Sequence, residues 1–475
     1  MRISKEGMRA RLSECLLNIA EKYPPTNNDL IKSLKRIRKN QRKWALEDYH
    51  KRERPHNSEV TLSNVNLIYT FEHQSFNEIV DGLEKHHPND EKTNELKTRI
   101  LDSSDHLSSF LWSNFGHFIK SEDPLFKRYI VDPEIPKSVD HISVQYTRVL
   151  PSLACVSIQC YIEPIFTKRL ESIRDRLYLA PIVFNRFWPL TKVSQSYKGR
   201  VYSQKPKEII EESISSLECH IEKWVSKRFG WKEKESICKS SLRVFKTNAS
   251  SKSETWLMEN KNWTEDYGIT TTKESIFGDG FILNNSEKHF RKNITLTIFE
   301  NNKTSTTFNS DEQPFILTSS LYSIIEKYKI TLEKLRGEGF RRLHVARKLK
   351  HQNQNIIISI YRITISIKRL YQELNEHQKL VEVFLIDAGS IYNHYDKKHR
   401  PYSTSVIPHI KNELLRFKDA IEIIDNGLTK VISTQSTYAM FSLQKKVFWL
   451  SVVVTIATVV SILGNWKDTL SFFRI

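Results

Sequence analysis

Toward the C-terminus, apolar residues recur at Ile407, Ile410, Leu414, Phe417, Ile421, Ile424, Leu428 and Val431, in steps that alternate three and four. Tyr438 continues the series and Gln435 is its one polar member. This is a heptad seam of about four heptads, the pattern of a coiled coil or a helical bundle. Pro408 is the last proline, so the pattern predicts one helix running on into the C-terminal segment, more than about 80 Å long at 1.5 Å per residue. Two earlier stripes have the same character: Leu317, Leu321, Ile324, Tyr328, Leu332 and Leu335, then Ile356, Ile360, Ile363, Ile367, Leu370 and Leu374. The piece "IIISIYRITISI" is rich enough in isoleucine to be a strand, but the longer helical period around it favours helix. The stripes fit self-association through a stalk or a bundle closed within one chain.

The middle of the chain has a different grain. "HISVQYTRVLPSLACVSIQCYIE" is rich in β-branched and aromatic residues and predicts two strands around Pro151. Helices are expected from about Ile165 to Leu179 and from about Lys207 to Arg228. In "NITLTIFENNKTSTTF", Ile294, Leu296 and Ile298 alternate with Thr295 and Thr297, and Asn301-Asn302 supplies a hairpin turn.

These patterns divide the chain into a basic helical region over 1–130, an α+β domain over 131–312 and a helical bundle or hairpin over 313–400. A stalk helix over 401–446, a transmembrane helix over 447–466 and a short tail over 467–475 complete it. The expected fold class is α+β, mainly helical.

The transmembrane assignment rests on Val447 to Trp466, twenty residues without a charge. A span needs roughly 20 apolar residues to cross about 30 Å of hydrocarbon. Trp449 and Trp466 lie roughly 25 Å apart along a helix, where aromatic belts form. Val447, Trp449, Val453, Ile456, Val460, Leu463 and Trp466 are the anchor residues. Ser451, Thr455, Thr458 and Ser461 fall on one helical side and mark a pore face, or ordinary contacts between spans. No apolar leader is visible near the N-terminus, so the large N-terminal part is expected in the cytoplasm, with a single pass through the membrane (the inner membrane if the source is bacterial).

Composition adds charge to this picture. The mean hydropathy is -0.47, so most of the chain belongs in water, and the net charge is +18. Such a charge fits anionic surroundings, nucleic acid or anionic lipid. Residues 1–56 hold fifteen Lys/Arg against seven Asp/Glu, concentrated in "KSLKRIRKNQRKW". Lys35, Arg36, Arg38 and Arg42 here, and Arg341, Arg342 and Arg347 in "GFRRLHVARKLKH", are candidate anion or nucleic-acid contacts; a merely solvated face is the alternative.

The five cysteines have no metal or disulfide-framework spacing and read as buried thiols in a reducing compartment. No phosphate loop, dinucleotide fingerprint, hydrolase elbow or metalloprotease motif is present, so no enzymatic activity, cofactor or metal is expected. The expected partners are a lipid bilayer, a second copy of the chain and an unidentified protein.

Arg99 and His106 in "RILDSSDH" have the R-x6-H spacing of HEPN-type ribonucleases. That resemblance would make the pair act on an RNA phosphate and its proton transfer. The order of parts resembles CorA-type magnesium channels, which end in two spans joined by a Gly-Met-Asn loop. Here the corresponding place reads Leu463-Gly464-Asn465-Trp466 and leaves too little chain for a second span, so ion selectivity is not implied. The same order is similar to membrane-tethered effectors of bacterial antiviral defence loci. Three functions follow as expectations: an anchored sensor, effector or scaffold that oligomerises; an oligomeric channel or pore; and a tethered ribonuclease.

Overall fold

The computed structural model describes residues 5–22, 29–55, 58–85, 97–98, 100, 112–121, 129–178, 183–184, 195–196, 205–232, 237–248, 253–269, 276–278, 281–285, 293–299, 312–343, 350–386, 390–393, 399–401 and 403–472. The chain forms two compact units. One comprises Met1–Glu326 and Glu373–Ile410, the other Lys327–Gln372 and Lys411–Ile475.

The larger unit opens with α1 (Lys5–Lys22) and α2 (Asp29–Lys51). Leu17 and Ala20 meet Leu34 and Ile37 in a small core of their own. Then follow β1 (Val60–Glu72), α3 (Phe76–Glu84), β2 (Trp112–Ile119), β3 (Ile130–Val131), β4 (Val139–Leu150), β5 (Leu153–Ile162), α4 (Pro164–Arg174), β6 (Val183–Phe184), β7 (Gln195–Ser196), α5 (Lys205–Arg228) and β8 (Ile237–Thr247). The next elements are α6 (Ser253–Glu259), α7 (Lys261–Thr264), β9 (Ile276–Gly278), β10 (Phe281–Asn285), β11 (Asn293–Phe299), α8 (Gln313–Leu343), α9 (Lys350–Glu376), α10 (Gln378–Ile386), β12 (Ser390–Asn393), β13 (His399–Pro401) and α11 (Ser403–Phe472).

Among the described residues, eleven strands form one sheet in the order β13-β12-β9-β10-β11-β8-β1-β5-β4-β2-β3. Its pairs are antiparallel except β11 with β8 and β2 with β3. β1, β4 and β5 are largely buried on both faces, whereas Lys239, Ser241 and Arg243 leave one face of β8 half-buried. The first face is apolar. Val65, Leu67, Tyr69 and Phe71 of β1 join Val156, Ile158 and Cys160 of β5, against Leu170 of α4 and Ile210, Ile214, Leu217 and Ile221 of α5. Each such side chain contributes roughly 1.5–3 kcal/mol by leaving water. Trp231 anchors the cluster, stacked on Phe229 at 4.5 Å and donating its Nε1–H to the Glu78 carbonyl at 2.8 Å.

The two strands expected around Pro151 are β4 and β5. Ser152 in their turn gives both its N–H and its hydroxyl to Glu373 Oε2, at 3.0 and 2.6 Å. The helix expected from Ile165 to Leu179 ends at Arg174, and that expected from Lys207 to Arg228 begins at Lys205. In β11, Ile294 and Leu296 are buried as the alternation predicts, but Thr297 is buried as well and Ile298 is half-buried. Its described partners are β10 and β8; the second arm of the predicted hairpin lies outside the described residues.

The expected boundary at 130 is corrected, because β1 and β2 from the supposed helical region lie inside the sheet. The 313–400 segment is likewise not purely helical, since β12 and β13 extend the same sheet. "IIISIYRITISI" is helical, within α9.

In the smaller unit, Tyr328, Leu332 and Leu335, then Ile363, Ile367 and Leu370, then Leu414, Phe417 and Ile421 are all buried. The heptad seam is therefore covered by the chain itself as far as Ile421. An intermolecular coiled coil needs an uncovered stripe, and this part offers none. Ile424, Leu428 and Val431 are helical, and their side chains lie outside the described residues.

Candidate functional site: a polar sheet face and an uncovered apolar helix

The second sheet face is built from short polar side chains at alternate positions. The register lays them in rows across β2, β4, β5 and β1. His117 stands opposite Ser143, Ser143 opposite Gln159, and Gln159 opposite Asn66. In neighbouring rows Asn114 pairs with Gln145 and Gln145 with Ser157, while Tyr161 pairs with Asn64. His141 lies on this face too, its ring stacked on Tyr161 at 4.1 Å. Toward β8 and β11 the face turns apolar, through Leu242, Val244, Ile294 and Leu296.

The N-terminal half of α8 covers part of this face. Ser323 donates to Thr70 Oγ1 at 3.2 Å, and Gln313 Nε2 donates to Gln145 Oε1 at 3.1 Å. Glu312, just before the helix, is 4% exposed. Its carboxylate accepts from Asn64 at 2.8 and 2.9 Å and from Asn66 at 2.8 Å. A buried carboxylate needs such donors to offset its lost hydration.

Burial, then the Glu312 charge and Tyr129, push the Tyr161 phenol up to about 12. It stays protonated and keeps its O–H to donate. Burial also lowers His117, with His141 adding to the effect. Asn114 Oδ1 accepts the Gly116 N–H at 2.9 Å, which fixes the amide so that Nδ2 donates to His117 Nε2 at 2.7 Å. His117 is then a neutral ring with its proton on Nδ1. His141 Nδ1 lies 2.9 Å from Asp140 Oδ2. Among the described residues no three His, Cys, Asp or Glu converge as metal ligands.

The other candidate feature is the end of α11. Met440–Ser461 is long and apolar enough to cross a membrane, with a mean hydropathy of 1.5 and none of it buried. The apolar stretch with described side chains thus starts seven residues before the predicted Val447. Val447, Trp449, Val453, Ile456 and Val460 are exposed, Val453 at 61%. Leu463 and Trp466 are on the helix, with side chains outside the described residues. Ser451 donates to the Phe448 carbonyl, Thr455 to Ser451 and Thr458 to Val454, each at 2.8 Å. These hydroxyl protons are satisfied within the helix. Ser461 is exposed on the same helix.

The basic candidates fare differently. Arg38 is 7% exposed and is no surface cation. It bonds Glu14 at 2.9 Å, Asn18 at 3.1 Å and Gln41 at 2.8 Å, so its charge ties α2 to α1. Arg42 pairs with Glu21 at 2.7 Å. Arg36 is exposed and Lys35 half-buried. Arg341 and Arg342 are in the last turn of α8, with side chains outside the described residues, and Arg347, Arg99 and His106 lie outside them altogether. Of the five free cysteines, Cys155, Cys160 and Cys238 are buried as expected, whereas Cys15 and Cys219 are exposed.

The polar face was not foreseen from sequence, although "SVQYT" and "VSIQCY" place amides or hydroxyls at every second residue, and "SNVNLIYT" does so at Asn64, Asn66 and Thr70 with Ile68 between. No family model, curated protein or solved structure matches the chain.

Proposed function

We propose that the protein is a membrane-anchored binding module without catalytic activity. Its α+β unit stands on the cytosolic side of a bilayer, one C-terminal span holds it there, and copies associate through that span. The observation that carries this reading is that no residue of Met440–Ser461 is buried. An apolar helix of this size with no protein cover calls for lipid or for other helices. Lys445 and Lys446, both exposed, fit the headgroup region just before the charge-free run that starts at Val447. The cysteines form no disulfide, which fits a reducing compartment around the large part. The covering of the heptad stripe up to Ile421 favours association through the span over association through a stalk. A role as a defence-type membrane effector rests on the order of parts alone.

Alkaline extraction of membranes tests the anchor. The full chain is expected to stay in the membrane pellet, and a chain ending at Ser442 to appear in the supernatant. Ile456→Arg places a cation near the span centre, at a cost of about 2.5–3.5 kcal/mol of insertion, and should shift part of the protein to the supernatant. Full-length protein that extracts like the truncated form refutes the reading.

A further inference from the structure

Helix α2 sorts its cations by direction. Arg38 and Arg42 reach α1, where Glu14 and Glu21 answer them. Lys32, Arg36, Lys39 and Lys43 are exposed instead. Their steps of four, three and four residues hold them within about 60° of one another around the helix, in a row about 16 Å long. Leu34 and Ile37, packed with Leu17 and Ala20 of α1, turn the opposite side of α2 inward.

A merely solvated face would alternate its charges. Here Lys32 and Arg36, Arg36 and Lys39, and Lys39 and Lys43 are like-charged neighbours, each pair weakening the helix. Lys43 meets Glu47 at 3.9 Å, with both side chains more than half exposed, so that pair is loose.

We propose that this row binds single-stranded nucleic acid along its phosphate backbone. The row is one residue wide, and its cations follow one another every 4.5–6 Å or so, at roughly 1.5 Å per residue. A flexible strand can lay consecutive phosphates along such a line. A bilayer fits the same charge less well. A helix that docks on lipid inserts an apolar face, and that of α2 is spent on α1. Among the described residues of α2, the exposed large apolar side chains are Trp44 and Leu46, at 38% and 47%. Two such residues make no inserting face, whereas an indole directly after Lys43 suits a stacked base. Cations that meet phosphates fix position and read no bases, so the binding is independent of sequence. The inference deepens the reading of the α+β unit as a binding module. It fails separately from the anchor, because alkaline extraction tests the span and oligonucleotide binding tests α2.

The test is fluorescence anisotropy of labelled oligothymidine and oligouridine, titrated with the full chain in uncharged detergent at rising sodium chloride. Saturable binding of both is expected. Log affinity should fall against log salt with a slope of about −3, about 0.7 for each cation of the row. Arg36→Ala combined with Lys39→Ala leaves α2 a good helix former. It should weaken binding at least about fivefold and roughly halve the slope. Lys168→Ala combined with Arg169→Ala removes two exposed cations of α4 and should change neither. Absence of binding overturns the proposal. So does a slope that the α2 variant leaves as it was, or a loss that the α4 variant matches, which reports net charge alone. Binding of phosphatidylserine micelles through Arg36 and Lys39, with neither oligonucleotide bound, assigns the row to lipid and also overturns it.

Discussion

Asp266 shows how burial, rather than pairing, can set the behaviour of one residue. It is 3% exposed and lies 3.3 Å from the Arg52 guanidinium. Burial nonetheless raises its carboxyl to about 6; Arg52 and Arg174 oppose the shift, and Asp48 adds to it. An unfolded aspartate titrates near 3.9. Between those values the folded chain holds a proton that the unfolded chain has lost, so stability falls as pH rises from about 4 to about 6. The span of the effect is on the order of 2–3 kcal/mol, at 1.36 kcal/mol per pH unit. Melting temperatures of the parent and Asp266→Asn at pH 4.5 and pH 7 check this. The parent is expected to lose more on going to pH 7 than the variant, and equal losses contradict it. Gly82 gives a second prediction at this scale. A Cβ there would lie 2.6 Å from Trp231 Nε1. Trp231 cannot yield, because Phe229 stacks on it and Glu78 holds its N–H. Gly82→Ala should cost about 1–3 kcal/mol, the usual range for overpacking, read as a lower melting temperature.

Elements were legible where one periodicity ran long enough. The helical stripes in α8, α9 and α11 were plain from spacing, and α9 is helical despite its isoleucines because the 3.6-residue period outlasts any strand. β4 and β5 were plain from composition around Pro151. β1 was missed because it sits behind a strongly basic helix, and because its alternation puts Asn64 and Asn66 where a half-exposed strand would carry solvent-facing residues. Only tertiary structure reveals that this polar side is buried as well, under α8. The basic cluster failed for the mirror reason. Seven cations run from Lys32 to Lys43 with no acid among them, yet Glu14 and Glu21 of α1 stand beside Arg38 and Arg42. Local sequence reports charge, and pairing across elements is not a local property. The apolar helix was legible because membrane length and lack of charge need no tertiary partner to be recognised.

For the whole molecule, the proposed association of copies has two candidate surfaces. The heptad seam and the apolar helix lie on the same continuous α11, and from sequence alone both can do so. Burial separates them. Leu414, Phe417 and Ile421 are 1%, 7% and 6% exposed within a single chain, whereas Leu450 and Val460 are 68% and 62% exposed. Water drives burial of an apolar stripe only while it is uncovered, so the first segment has little left to gain from a second copy. In a bilayer the second segment is already solvated by lipid, and there packing and small polar residues decide association. A pore would need several copies, since one span encloses nothing. The mass in detergent of the full chain, beside a chain ending at Ser442, separates these routes. The shortened chain is expected to be a soluble monomer and the full chain a defined oligomer. If both form the same oligomer, the seam beyond Ile421 assembles the protein and the span serves only as an anchor. If the full chain is also a monomer, neither surface pairs copies, and a pore is excluded together with the scaffold.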